Sequence, residues 1–268
     1  VLGRILCIGA GAMGGAILRG ALEKGVITRN ELLVTVRTEE HARALEEELG
    51  ISVTTSLPDW KTDGFDTILL AVKPQVLPHV LVELKEIPPH TTCISIAAGI
   101  TLHTLESALP QADWYRAMPN MPAAVGAGMT AIAAGQNASL AVTEQVQALF
   151  SAIGQVEVVS EMDLDRLGAL SGAGPGYAFL MMDALADAGV RIGLPRALAI
   201  KAAAQTLLGA GMMATKTGTH PAILRDQVTS PGGTTIAGIL AMEKGGLRSA
   251  IHDGIIACYE RSNELGKS

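Results

Sequence analysis

Aromatic residues are scarce in this sequence: three Phe, three Tyr and two Trp make up 3% of its 268 residues. A core must therefore be built from Ala, Leu, Ile, Val and Met. That favours close helix–helix and helix–sheet contacts through small side chains. No basic run is present and the formal net charge is -6, so neither nucleic acid nor an anionic membrane surface is an expected partner. Cysteine is sparse. Cys7, Cys93 and Cys258 are isolated from one another, with no spacing that suggests a disulfide framework or a zinc site. Cys7 and Cys93 fall in apolar, strand-like runs and read as small buried hydrophobes. No signal peptide is expected, because the N-terminus enters a strand-like run almost at once. No apolar stretch reads as long and uninterrupted enough to span a bilayer. The longest weakly charged segment, Leu167 to Leu185, contains Pro175, several glycines and Asp183, and reads as a buried helix of a soluble, cytoplasmic protein.

What is present is alternation. RILCIG, ELLVTV, DTILLAV, TTCISIAAG, ADWYRAM and AGMTAIAAG read as short strands. Between them lie helical patterns such as AMGGAILRGALEKG and EEHARALEEELG. Strands alternating with helices predict a mostly parallel sheet covered on both faces. After about Val159 the pattern changes to helical runs broken by glycine or proline. These runs are rich in Ala, Gly and Met and apolar around much of their circumference, so they need burial. A domain of roughly 110 residues can hardly bury them alone, which predicts dimerisation. The expected organisation is an α/β domain over residues 1–160 followed by an all-α domain over 161–268.

IGAGAMGGA places Gly9, Ala10, Gly11, Ala12, Met13 and Gly14 directly after the first strand and at the start of a helix. This is the G-x-G-x-x-G spacing of a dinucleotide loop. Gly9 permits the tight turn, Gly11 the approach of a pyrophosphate, and Gly14 close helix–strand packing. An acid that binds the ribose hydroxyls of NAD is expected at the end of the second strand. Arg37 and Thr38 stand there instead, with Glu39 and Glu40 following at a helix start. An arginine can pair with a 2′-phosphate, so NADPH is the expected cofactor, with NADH as the other candidate.

The catalytic search is mostly negative. The histidines at 41, 79, 90, 103, 220 and 252 are scattered, and no nucleophile elbow, H-E-x-x-H or acidic metal cluster is present. A reaction needing little protonic help fits this lack. A protonated imine accepts hydride directly, whereas an alcohol needs a base to remove its proton.

Six segments then converge in order: IGAGAMGGAI, LLAVKPQ, SIAAGI, YRAMPNMPAAVGAGMT, ALSGAGPGYAFLMMDALADAGVRIGLPR and RDQVTSPGGTTIAGI. Together they resemble the pyrroline-5-carboxylate reductase family over essentially the whole chain. The resemblance implies a Rossmann-type doubly wound N-terminal domain and a helical domain that binds substrate and interlocks with a second copy, in some members forming rings of dimers. It implies NAD(P)H-dependent reduction of 1-pyrroline-5-carboxylate to L-proline. It puts the substrate carboxylate on the backbone amides of Gly233, Thr234 and Thr235, freed by Gly232 and Gly233, with Ser230 and Pro231 shaping the loop. It gives Thr235 a hydrogen bond to the ring nitrogen. It sets Ala71, Val72, Lys73 and Pro74 by the cofactor ribose and nicotinamide, and leaves room for the nicotinamide at Ala97, Ala98 and Gly99. Met118, Pro119 and Asn120 would flank nicotinamide and substrate. The family often has Asn where this chain has Ala12 and Ser56; a serine at 56 would contact the adenosine ribose more weakly. Gly176 stands where Ala is usual and bears on local packing. The rival readings are a reductase of another cyclic imine or a small oxo acid, and a non-catalytic dinucleotide-binding relative.

Overall fold

The computed structural model describes residues 2–58 and 64–265. Its N-terminal part is built on eight strands: β1 (Ile5–Ile8), β2 (Leu32–Thr35), β3 (Ser52–Thr54), β4 (Thr67–Leu70), β5 (Thr92–Ser95), β6 (Asp113–Met118), β7 (Gly128–Ala134) and β8 (Gly154–Val158). They form one sheet in the order β3-β2-β1-β4-β5-β6-β7-β8. Every pairing is parallel except β6–β7. The reversal there needs only a short 3₁₀ turn, Met121–Val125, closed by Gly126 at φ 69°.

Among the described residues, five helices accompany this sheet: α1 (Ala12–Glu23), α2 (Glu39–Leu49), α3 (Leu77–Glu83), α4 (Leu102–Ala108) and α5 (Leu140–Ser151). The period-2 alternation of the strands sorts side chains into two cores. Ile5 and Cys7 of β1 join Ile17, Leu18, Leu45, Val146 and Phe150 on one face. Leu6 and Ile8 join Leu77, Leu81, Leu105 and Trp114 on the other. The expectation of a mostly parallel sheet covered on both faces is met. Both strand cysteines are buried, and burial pushes the Cys7 thiol up to about 12 and raises Cys93 as well. At neutral pH they are packing atoms.

β3 and β8, and helix α5, were not among the elements that pattern alone picks out. β3 is three residues long and none of them is buried. β8, GQVEV, is an edge strand with exposed Gln155 and Glu157. Short polar edge strands carry too little apolar alternation to be read.

Helix α6 (Glu161–Leu167) and a π turn, Gly168–Gly172, follow. The chain then forms α7 (Gly174–Arg191), α8 (Arg196–Thr217), α9 (Pro221–Gln227), α10 (Thr234–Lys244) and α11 (Leu247–Leu265). Two compact units result: one runs to Gly172 and is rejoined by the chain from Tyr259, and the other is Ala173–Cys258. In the second unit the buried apolar cluster is Ala186, Ala199 and Ala203, with Val190 against it. A Cβ on Gly189 would stand 3.0 Å from that of Ala199, so small residues set the α7–α8 approach. Phe179, Leu180, Ile192, Leu208 and Met213 are more than half exposed. That much open apolar surface on a helical unit marks an interaction face. Against the expectation from sequence, α8 is long and apolar enough, by length and composition, to cross a membrane. Its apolar run is built largely of alanines that tolerate Lys201 and Gln205 within it.

The β7–β8 pairing sets Gly128 opposite Gly154. Gly154 has φ 150°, and a Cβ there would collide with the Gly128 backbone, which cannot swing away as a side chain can. Gly154→Ala should therefore destabilise the N-terminal unit by about 1–3 kcal/mol, as overpacked sites do. Urea denaturation followed at the buried Trp114 measures this; unchanged stability would contradict the packing described.

Candidate active site

The C-terminal edge of the parallel strands gathers the predicted dinucleotide residues. Register pairs Ile8 with Leu70, Leu70 with Ser95, and Ser95 with Arg116. The segments that leave these strands, Gly9–Gly14, Ala71–Pro74, Ala97–Gly99 and Met118–Asn120, therefore emerge side by side. The strand order reverses direction between β1 and β4, and that switch point is where open α/β sheets bind ligands.

Gly9 sits at φ 88° and donates its amide to the Thr35 carbonyl at 2.8 Å. A Cβ on it would lie 2.7 Å from the Ala71 carbonyl oxygen. One on Gly14 would lie 2.9 Å from both the Ala71 Cβ and the Gly9 oxygen. These two glycines are required by the protein's own packing. Gly11 differs: a Cβ there meets nothing within 4 Å. It is the N-cap of α1, makes no side-chain cap, and no acid stands in the first turn. The first-turn amides of an α-helix have no intrahelical acceptor, so this open end fits a pyrophosphate. The open space at Gly11 is the cradle that a side chain would fill.

Beyond the end of β2, Thr38 is the N-cap of α2, its hydroxyl accepting from the His41 amide. Glu39 accepts from the Thr55 hydroxyl at 2.8 Å, and the Ser56 hydroxyl lies 3.3 Å from that of Thr54. Arg37 is exposed, and among the described residues it makes no side-chain hydrogen bond or ion pair. Lys73 is also exposed, and its carbonyl accepts from the Val76 amide at the approach to α3.

Asn120 differs from the expectation. Its Oδ1 accepts from the Met129 amide at 2.8 Å and its Nδ2 donates to the Ser171 carbonyl at 2.9 Å. A buried amide is kept only when so satisfied. The side chain is occupied in holding β7 and the π turn together, so its place at the edge is as a brace.

The loop of the second unit also needs one correction. Gly232 has φ 67°, and Gly233 is the N-cap of α10, with no side-chain cap and no acid in the first turn. The Gly233 amide, expected to face an anion, donates instead to the Ser230 carbonyl at 3.0 Å. It closes the turn. The open donors are those of the first helical turn, starting at Thr234 and Thr235. A Cβ on Gly233 would collide with the Ser230 hydroxyl, which ties Ser230 to the shape of this loop.

Sequence reasoning passed over Arg116. It is 3% exposed on β6 and paired with Glu161 and Asp165 of α6. The available signal was an arginine inside the otherwise buried run DWYRAM, since a buried charge is retained only when paired.

The sheet order and the uncapped glycine loop define a dinucleotide-binding domain of the doubly wound class. A family model described as NADP oxidoreductase coenzyme F420-dependent matches residues 4–99, and one described as pyrroline-5-carboxylate reductase dimerisation matches residues 161–265. The pyrroline-5-carboxylate reductase of Synechocystis is 43% identical over 97% of this chain and 97% of its own. The solved pyrroline-5-carboxylate reductase of Coxiella burnetii superposes with a TM-score of 0.93 at 35% identity, covering 100% of both chains. A Plasmodium falciparum pyrroline carboxylate reductase with NADP bound gives a TM-score of 0.85 at 28% identity over 98% of each. The chain belongs to the pyrroline-5-carboxylate reductase family. Helix α8 lies wholly inside the region matched to dimerisation.

Gly11 and Gly14 separate ligand from packing. Gly11→Ala should cost stability no more than about 1 kcal/mol, the loss of a preferred N-cap residue, since a Cβ there meets nothing, yet weaken NADPH at least about tenfold. Gly14→Ala should lower the melting temperature further, because its Cβ has no room. Calorimetric titration alongside thermal unfolding reads both; unaltered NADPH binding by Gly11→Ala would remove this loop from the cofactor site.

Proposed function

We propose that this protein reduces 1-pyrroline-5-carboxylate to L-proline with NADPH, the last step of proline biosynthesis. The observation that carries the reading is full-length similarity, at 43% identity in one case, to relatives bearing that name. NADPH bound at the sheet edge supplies the hydride. The carbon of the protonated imine receives it, the C=N π pair becomes the nitrogen lone pair, and the ring nitrogen keeps its proton and takes a second from solvent as the proline ammonium.

The chain's own work is binding and orientation. The first-turn amides of α1 hold the pyrophosphate, Arg37 pairs with the 2′-phosphate, and Thr38 and Ser56 border the adenosine ribose. Ala71, Val72, Lys73 and Pro74 border the nicotinamide ribose. Ala97, Ala98 and Gly99 leave space for the nicotinamide, and Met118 and Pro119 flank it, braced by Asn120. In the helical unit, the amides of Thr234 and Thr235 hold the substrate carboxylate. An uncapped helix start binds an anion without a charged side chain, which suits a segment, Gln227 to Ile239, that has none. The Thr235 hydroxyl hydrogen-bonds the ring nitrogen, and Ser230, Gly232 and Gly233 shape the turn. Holding two reactants in line supplies roughly 7–11 kcal/mol of a barrier, enough to dispense with a strong acid or base.

The protein works as a homodimer through its C-terminal helices, with dimers assembling further into a ring. Three free cysteines and the acidic surface suit a cytoplasmic compartment.

A coupled assay tests this. Purified protein should oxidise NADPH faster than NADH with 1-pyrroline-5-carboxylate, and proline should be identified as product. Folded, dinucleotide-bound protein that forms no proline would point to another cyclic imine or oxo acid. Thr235→Ala should lower kcat/KM about 10–100-fold while NADPH affinity changes less than about twofold, as for a lost hydrogen bond to a charged group. Arg37→Ala should weaken NADPH about tenfold or more and NADH little. Equal losses for both nucleotides would mean that Arg37 does not read the 2′-phosphate.

A further inference from the structure

In segment 96–101, which the proposed function places under the nicotinamide, Ile96, Ala97 and Ile100 pack on the cores, but the tip at 98–99 has little means of holding itself. Ala98 and Gly99 are exposed, and Gly99 sits at φ 76°. The hydroxyl of Thr101 is committed to capping α4 through the Thr104 amide. The segment is instead pinned at its two ends. At the first, the buried Ser95 hydroxyl accepts from the Ala97 amide at 3.3 Å. At the second, the Leu102 amide donates to Glu161 Oε1 at 2.6 Å. Glu161 is on α6, so this second pin is only as fixed as α6 is.

Arg116 fixes it. Arg116 is the register partner of Ser95 on the neighbouring strand. Its guanidinium is buried and donates through Nη1 to the same Glu161 Oε1 at 2.5 Å, and through Nη2 to Asp165 Oδ1 at 3.0 Å. Two carboxylates one helical turn apart meet one planar fork, a geometry that lysine cannot reproduce. Further along the same strand, Met118 Cε lies 2.9 Å from where a Cβ on Gly168 would stand, and Asn120 holds Ser171. The π turn that follows α6 is thus braced on the same strand. π turns are frequent at functional sites.

We infer that Arg116 is a positioning residue for hydride transfer. Through Glu161 it sets the height of segment 97–101, and with it the depth at which a nicotinamide ring seats, without touching cofactor or substrate. The inference rests on the proposed reduction for its kinetic readout only. The adenosine end of the cofactor is held by elements that Arg116 does not contact, so the two halves of the cofactor should respond differently.

The experiment compares Arg116→Met, Glu161→Ala and Glu161→Gln in the full chain. The probes are adenosine 2′,5′-bisphosphate, for the adenosine end alone, and NADPH. Arg116→Met and Glu161→Ala should bind the bisphosphate within about twofold of the parent, and show weaker NADPH binding with a smaller enhancement of its fluorescence. Their kcat should fall about 10–100-fold with a much smaller change in KM for the imine, the response expected of a displaced reactant. Glu161→Gln keeps an oxygen for the Leu102 amide and should lose far less than Glu161→Ala. Bisphosphate affinity and kcat falling in parallel would mean general damage to the sheet edge and would overturn the inference. So would an unchanged kcat in folded Arg116→Met, or Glu161→Gln as impaired as Glu161→Ala. If Arg116→Met does not fold, the two Glu161 variants decide, since that side chain is partly exposed. If the parent makes no proline, the proposed reaction fails, while the ratio of NADPH to bisphosphate affinity still tests the brace.

Discussion

The N-terminal unit depends on one close approach of backbone to backbone. Where β1 ends, Gly9 turns at positive φ, gives its amide to the end of β2, and lies so near β4 that a Cβ on it would stand 2.7 Å from the Ala71 carbonyl oxygen. Only a residue without a side chain fits, because both the conformation and the space forbid one. That contact brings the start of α1 down onto β1 and β4 and aims its unsatisfied amides along the sheet edge. Gly14 completes the approach one turn later. Gly11, lying between them, is under no such pressure. The same three glycines therefore record two causes, internal packing at Gly9 and Gly14 and external access at Gly11.

A second theme is anion binding by backbone. The helix starts at Gly11 and Gly233 each lack a side-chain cap and an acid in the first turn. The helices α2, α4, α5 and α6 each carry a Ser or Thr that accepts from a first-turn amide. The helices α3, α7 and α8 also start without a side-chain cap or a first-turn acid, so an open start permits an anion without by itself marking its site. Backbone binding also suits the proposed site, which has few charges: a cofactor and substrate rich in phosphate and carboxylate would meet amide dipoles, and the exposed Arg37 would face the adenosine end. Such a site binds and orients, which is what hydride transfer to an imine asks of a protein.

Much of this was legible in the sequence because it is written in local pattern. The glycine spacing, the apolar runs of β1, β4 and β5, and the change from alternating to helical periodicity near residue 160 each occupy a few adjacent residues. What was not legible depends on a turn closed only when the backbone is built, or on residues far apart. The Gly233 amide looks free until the turn to Ser230 is built. Asn120 looks like a ligand residue until Met129 and Ser171 are seen to take both ends of its amide. Arg116 is unremarkable in DWYRAM; its meaning comes from Glu161 and Asp165, more than forty residues on. β3 and β8 escaped notice because edge strands bury too little to show alternation. The length and apolarity of α8 were underweighted because alanine and methionine, rather than leucine runs, supply them.

The central claim is that hydride passes directly from the nicotinamide held at the sheet edge to the carbon of an imine. Reduction with NADPH deuterated at C4, each of the two stereospecifically labelled forms in turn, and mass and NMR analysis of the product test this most directly. The account predicts proline carrying one deuteron at C5 from one labelled form and none from the other. Unlabelled proline from both forms, or loss of the label to solvent, would contradict it.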